Sequence, residues 1–334
     1  MSRRAVAEER AGIELTNLDQ PLYDGAGATK RELVDYLDAV SERILPPLRD
    51  RPLSVIRARP GQPPFMQKNL PRYAPDWIER VSVWAEASHR TVTYPLCHDR
   101  RTLLWLANQR AVEFHPTLLR GAEGAVTDLV IDLDPPPDAP FATVVSAARL
   151  VRQALDDAGL AGSVKTSGSK GVHILVPLDE RASSEEAAVA TRALAARAVR
   201  IDPQVATTAY IVADREGKVF LDPTRAMGAS LAVVYGPRAR PGLPVSFPVS
   251  WDELDSVVPG DFTVRSVPGL LGDRDPWVEM RPPPQRLPQE LVAEGRTIPV
   301  PRVQAMHEGK RRRAAARREA AAQGGDRDGD QADS

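Results

Sequence analysis

The segment Thr127–Pro137, TDLVIDLDPPP, constrains this chain more than any other. It has the apolar residues of a buried β-strand, yet acids interrupt it at 128, 132 and 134. Alternate side chains of a strand share a face. Asp132 and Asp134 therefore point the same way, about 6–7 Å apart, and Asp128 lies on that face roughly 13 Å from Asp132. At that distance Asp128 is expected to end the strand in solvent. A buried carboxylate is costly unless something neutralises it. One solution is a divalent cation gripped between the pair, of the kind that bridges attacking and leaving oxygens in phosphoryl transfer. The other has Asp134 capping the proline turn and Asp132 meeting a buried arginine. The segment alone leaves both open.

Two later segments carry compatible chemistry. In KTSGSKGVHILVPL (165–178), glycines and serines surround Lys170 and a buried strand follows. Backbone N–H groups in such a turn can cradle phosphates while a lysine adds a point charge. This is not a Walker A sequence, which leads into a helix; a plain hairpin turn with a solvated lysine also fits. His173 alone is compatible with an ordinary hydrogen-bonded core histidine. In GKVFLDPTR (217–225) an apolar strand again ends in an acid, Asp222. A third carboxylate suits a site for two divalent ions, although a strand-end aspartate in a turn needs no such role.

At 334 residues the chain is long enough for a sizeable core. Its net charge of −1 predicts no polyanion partner overall, so any nucleic-acid site must be a local basic patch. Cys97 is the only cysteine, which excludes an intrachain disulfide and a cysteine-rich zinc site. The opening MSRRAVAEER lacks an apolar core, so no secretory signal is expected, and no apolar run approaches the ~20 residues of a membrane span. These features predict a cytoplasmic protein with no membrane partner.

Residues 1–12 read as a flexible lead-in, 13–300 as the folded domain, and 301–334 as a basic then acidic tail that cannot bury a core. Thr29 and Glu32 form a capping-box pattern opening a helix that Pro46 and Pro47 are expected to stop. Helices are also expected over 100–112, over 141–159 with Gly159 as C-cap, and from Ser183 to near Val199. Strands are expected at LSVIRA, HILVPL, TTAYIVA, KVFLD and SLAVVY, with the proline-rich 60–75 as an irregular loop. The order does not alternate as βαβ, which predicts an α+β fold with a mixed or antiparallel sheet flanked by helices.

Taken in order, D-x-D, then S-G-x-K-G-x-H, then a hydrophobic strand ending in Asp resembles the three motifs of the archaeo-eukaryotic primase superfamily. The nearest resemblance is to the polymerase domain of bacterial ligase D, the nonhomologous end-joining primase-polymerase. Flanking segments extend it: ELTNLDQPLYDGAGATKRELVDYL, QPPFMQKNLP, LLWLANQRAVEFHP and RARPGLPVSFPVSWDEL follow in the family's order, covering roughly residues 13 to 290.

The resemblance implies the primase catalytic core and a template-directed nucleotidyltransferase. It would add nucleotides, preferably ribonucleotides, to DNA ends or short gaps during repair. It implies that Asp132, Asp134 and Asp222 are catalytic and hold two divalent cations, Mn2+ or Mg2+, with a nucleoside triphosphate as substrate. It assigns Ser167, Lys170, His173 and Arg238 to the nucleotide and its phosphates, and His115 to the nucleotide sugar. It also places Phe65 against template DNA, Arg215 in a site-assembling DNA-side loop, and Lys30 at a 5′-phosphate. Implied partners are gapped or broken double-stranded DNA bearing a 5′-phosphate, Ku and a separate DNA ligase, with a stand-alone form expected. Four departures stand out: Gln20 in place of a second phosphate-binding lysine, Met66 in place of a second aromatic, Ala226 in place of an asparagine, and Leu231 in place of a threonine. They keep alive an alternative, a catalytically weakened scaffold that binds DNA ends or gaps.

Overall fold

The computed structural model describes residues 8–85, 89–121, 123–223 and 229–300. Its centre is a six-stranded sheet. The strands run, edge to edge, Ala206–Thr207, Val219–Asp222, Asp128–Asp134, Val172–Pro177, Ser163–Thr166 and Pro248–Val249. All neighbours are antiparallel except the first pair. Leu129, Ile131 and Leu133 are fully buried on the face opposite the aspartates. The helices Phe141–Asp156 and Ser184–Ile201 pack there. The α+β expectation therefore holds.

A second, three-stranded antiparallel sheet is ordered Gln62–Gln67, Leu53–Arg59, Ala111–Pro116. The segment 229–233 joins the two sheets. Its N–H groups at Leu231 and Val233 donate to the carbonyls of Pro116 and Phe114 at 3.2 and 3.0 Å. It is extended but forms only an isolated bridge, Thr117 to Ser230, where a strand over SLAVVY was expected.

Both capping boxes form: Thr29 with Glu32, and Ser183 with Glu186. Gly159 takes a left-handed φ of +67°, as its C-terminal position requires. Other expectations need correction. The first helix is two helices, Lys30–Ala39 and Ser41–Leu48, and Pro46 and Pro47 lie inside the second rather than before its end. Lacking N–H groups, they leave the carbonyls of Glu42 and Arg43 without helical donors, and the helix ends at Leu48. The helix Arg100–Asn108 stops short of Ala111, which begins a strand. Pro63 and Pro64 sit in the strand Gln62–Gln67, inside the expected loop; this is an edge strand, where a missing donor is tolerated. TTAYIVA yields only the strand Ala206–Thr207, followed by a 3-10 turn, Val212–Arg215. Glu8–Arg10, within the expected lead-in, pairs with Ile13–Leu15. The tail call falls on 301–334, outside the described residues.

Candidate active site

The sheet register assembles the site. Asp132 stands opposite Asp222 on one side and opposite His173 on the other, and His173 stands opposite Lys165. Residues directly opposed across antiparallel strands share a face, with Cβ atoms about 4.5–5.5 Å apart. Lys165, His173, Asp132 and Asp222 therefore form one row across four adjacent strands, all buried. His173 Nε2 lies 3.4 Å from Asp132 Oδ1. Asp134, two residues on, is exposed at the open end of this face, opposite Phe220.

The turn 167–171 covers that open end. Ser167 Oγ accepts from the N–H groups of Ser169 and Gly171 at 3.2 and 3.1 Å, which ties the turn together. Two glycines are dictated by close approach. A Cβ on Gly171 would lie 2.3 Å from the Leu133 carbonyl oxygen, and one on Gly168 would lie 2.6 Å from Arg238 Cγ. The turn is thus pressed against the aspartate strand and Arg238. Lys170 Nζ donates to the Pro137 carbonyl, and Arg238 to the Ser167 carbonyl.

The smaller sheet contributes the third wall. Glu113, 4% exposed, accepts from Arg238 Nε at 2.9 Å and the Ala239 N–H at 2.9 Å, and its Oε2 lies 2.8 Å from His115 Nε2. Burial pushes the Glu113 carboxyl up, but the His115 hydrogen bond, the Arg238 charge and the Ala239 N–H outweigh it and pull its pKa down to about 2. It is therefore a fixed anion that aligns two residues expected to touch the nucleotide. Burial, then the neighbouring Lys165 charge, takes His173 down to about 4, leaving its ring neutral near pH 7.

His115, Asp132, Asp134, Ser167, Lys170, His173 and Arg238 all line one cavity of about 440 Å³, with Leu231 and Arg240 beside them. Asp222 joins them through its register with Asp132. The donor set suits hard divalent cations, since oxygen ligands prefer magnesium or manganese. The acids form an open row: among the described residues no three acids or histidines close into a compact cation site.

The other expected residues lie elsewhere. Phe65, 40% exposed, stands opposite Arg57, and the Arg57 and Arg59 guanidinium carbons lie 5.9 and 6.0 Å from its ring centre. This is an exposed aromatic surface edged by cations, the composition that stacks single-stranded bases. Arg215 stacks on Phe220, 3.8 Å from the ring centre, next to Asp134. Lys30 is only 2% exposed, and its ammonium donates to the Thr16 carbonyl and Asn108 Oδ1, both at 2.6 Å. Burial, then Arg110, lowers it to about 8. Ala226 lies outside the described residues.

Asp128 corrects an expectation. It is buried, not solvated: Arg281 donates to it, as does the Thr127 hydroxyl at 2.7 Å. Burial still holds its carboxyl above the ordinary range, against the Arg281 charge. A second cavity of about 270 Å³ lies at this end, lined by Asp128, Arg51 and Arg281. The first expectation missed Glu113 and Lys165. The signal for both is the same, a charge inside an apolar strand, in AVEFHP and SVKT.

Known proteins resemble this chain closely. The family model described as the LigD primase-polymerase domain matches residues 29–277. The multifunctional non-homologous end joining protein LigD of Mycobacterium bovis is 37% identical over 265 residues, 75% of this chain and 34% of that protein. The bifunctional protein of the same name from Bacillus subtilis is 33% identical over 260 residues, 76% of this chain and 42% of that one. The chain thus spans well under half the length of these relatives. The solved polymerase domain from Mycobacterium tuberculosis Ligase D, in complex with DNA, superposes with a TM-score of 0.73 at 34% identity, covering 82% of this chain and 98% of that one.

Proposed function

This chain belongs to the LigD primase-polymerase domain family, the nucleotidyltransferase unit of a DNA-repair protein, and from that premise we propose that it extends primer 3′ ends at short gaps and broken ends, favouring ribonucleotides. The observation that carries this reading is the single cavity in which the aspartate row meets the phosphate-type turn and Arg238. Hydrolysis of a phosphodiester needs no such triphosphate wall.

In this reading Asp132, Asp134 and Asp222 hold two divalent cations, Mn2+ or Mg2+. Bound there, the ions supply positive charge against the triphosphate and the attacking oxygen. Lys170, Arg238 and the N–H groups of the turn bind the phosphates, with Ser167 organising the turn and His173 at its base. His115, steadied by Glu113, takes the nucleotide sugar in this reading. Leu231 gives the cavity an apolar wall. Phe65 and its arginines take the template strand, Arg215 steadies the rim beside Asp134, and Lys30 serves the 5′-phosphate side of a gap. Ku and a DNA ligase activity are the partners of this role, exercised on DNA in the cytoplasm.

Primer extension on gapped DNA with ribo- and deoxynucleotides tests the reading. Wild type should favour ribonucleotides, and His115→Ala should narrow the ratio, because a site built to bond a hydroxyl discriminates against its absence. An unchanged ratio removes His115 from sugar selection. Gap binding with no nucleotide addition under millimolar Mn2+ and nucleotide overturns the polymerase reading in favour of a scaffold.

A further inference from the structure

Lys165 belongs to the buried row but has no role assigned so far; it is 1% exposed and sits directly beside His173. An ammonium has three donors, and three acceptors surround this one. They are Ser246 Oγ at 2.6 Å, His173 Nδ1 at 2.7 Å and the Ala232 carbonyl at 3.0 Å. Ser246 directs its own proton to the Thr166 carbonyl at 2.7 Å, so towards Lys165 it can only accept. The Ala232 carbonyl can only accept as well.

The third direction decides the state of the imidazole. A neutral amine would give its two hydrogens to Ser246 and Ala232 and turn its lone pair on His173 Nδ1. Nδ1 would then need the proton, and a bare Nε2 would face Asp132 Oδ1 at 3.4 Å, lone pair against lone pair. An ammonium reverses this. It donates to Nδ1, and Nε2 carries the hydrogen towards Asp132. Of these two arrangements, only the second satisfies both Lys165 and His173, and it uses all three acceptors around the ammonium. Burial and the Arg238 charge draw Lys165 well below the ordinary lysine range; the Asp132 charge acts the other way. The three acceptors add to its hold on the proton.

We propose that Lys165 is a positioning residue that locks His173 in its Nε2–H tautomer and thereby keeps imidazole nitrogen out of the metal site. An N–H nitrogen has no lone pair for a cation. Without the lock, His173 beside Asp132 and Asp222 is a mixed nitrogen and oxygen donor set, which suits zinc; with it, the site offers oxygen alone, which suits magnesium and manganese. Lys165 is on this account a determinant of metal choice. The selectivity half rests on the proposed metal role of the aspartates; the tautomer half does not.

The experiment is two-part. First, ring-nitrogen NMR on metal-free, 15N-histidine-labelled wild type reports the tautomer directly; the chain has only five histidines, and His173→Gln identifies the signal. The expected spectrum has Nε2 protonated and Nδ1 bare. An Nδ1–H signal overturns the inference, whatever the metal does. Second, calorimetry with Zn2+ and with Mn2+ compares wild type with Lys165→Met, a near-isosteric change that removes the donor. Zinc should bind the variant at least tenfold more tightly while manganese binding changes only a few-fold. Equal zinc affinities overturn the selectivity claim. Failure of wild type to bind Mn2+ at all, with the Nε2–H tautomer present, strikes the metal assignment instead and leaves the lock standing.

Discussion

One strand carries aspartates at both ends of the same face, and the two ends have opposite fates. At Asp128 the protein supplies its own counter-charge: Arg281 and Thr127 bond the carboxylate. At Asp132 the register sets a second carboxylate, Asp222, directly alongside, with a neutral imidazole on the other flank. Like charges opposed across strands are destabilising. In the proposed reading, the end that collects them beside a cavity lined by Lys170 and Arg238 takes external ions and a polyanion. The same residue type, strand and face thus give a structural ion pair at one end and, in the proposed reading, a reactive site at the other.

The largest effect expected from this contrast is on catalysis. Asp132→Ala should lower primer-extension kcat by orders of magnitude while circular dichroism and the unfolding transition stay native-like, because the lost stabilisation grows in the transition state. Near wild-type extension by that variant contradicts the assignment. Glu113→Gln should act one step back from the chemistry. It frees Arg238 and His115 from their common anchor, and a charged hydrogen bond is worth about 1.5–3 kcal/mol, so nucleotide KM should rise roughly tenfold or more with kcat changed far less. A fall confined to kcat would show that Glu113 serves something other than nucleotide alignment. Smallest in activity is Asp128→Asn. It should cost about 1–3 kcal/mol of stability in denaturant unfolding, since Arg281 is only partly screened, and leave kcat of the folded enzyme unchanged. A kcat loss there would erase the distinction between the two ends.

The acids and the phosphate turn were legible because their signal is local. A period of two fixes the face of Asp132 and Asp134, and capping pairs such as Ser183 with Glu186 fix helix starts. What was not legible depends on partners distant in sequence. Asp128 looked solvated because Arg281, 153 residues later, could not be foreseen as its partner. Glu113 and Lys165 went unnoticed because their partners, Arg238 and Ser246, come beside them only in the folded chain. The break at Val40 was not legible, because the apolar spacing runs on from the first helix into the second, which restarts at Ser41 and ends just past Pro46 and Pro47. The family resemblance puts Lys30 at a 5′-phosphate, but no local signal in the sequence shows that Thr16 and Asn108 hold its ammonium.

The central claim, that the Asp132 end of the strand takes external cations and the Asp128 end does not, is tested most directly by thermal unfolding with and without Mn2+. Ligand at about a hundred times its Kd adds roughly 2.7 kcal/mol, which for a domain this size is a rise in Tm of about 4–5 °C. Wild type and Asp128→Asn should both gain that rise, from a lower starting Tm in the second, and Asp132→Ala should gain little or none. Equal gains in all three proteins, or a gain lost only with Asp128→Asn, would contradict the account.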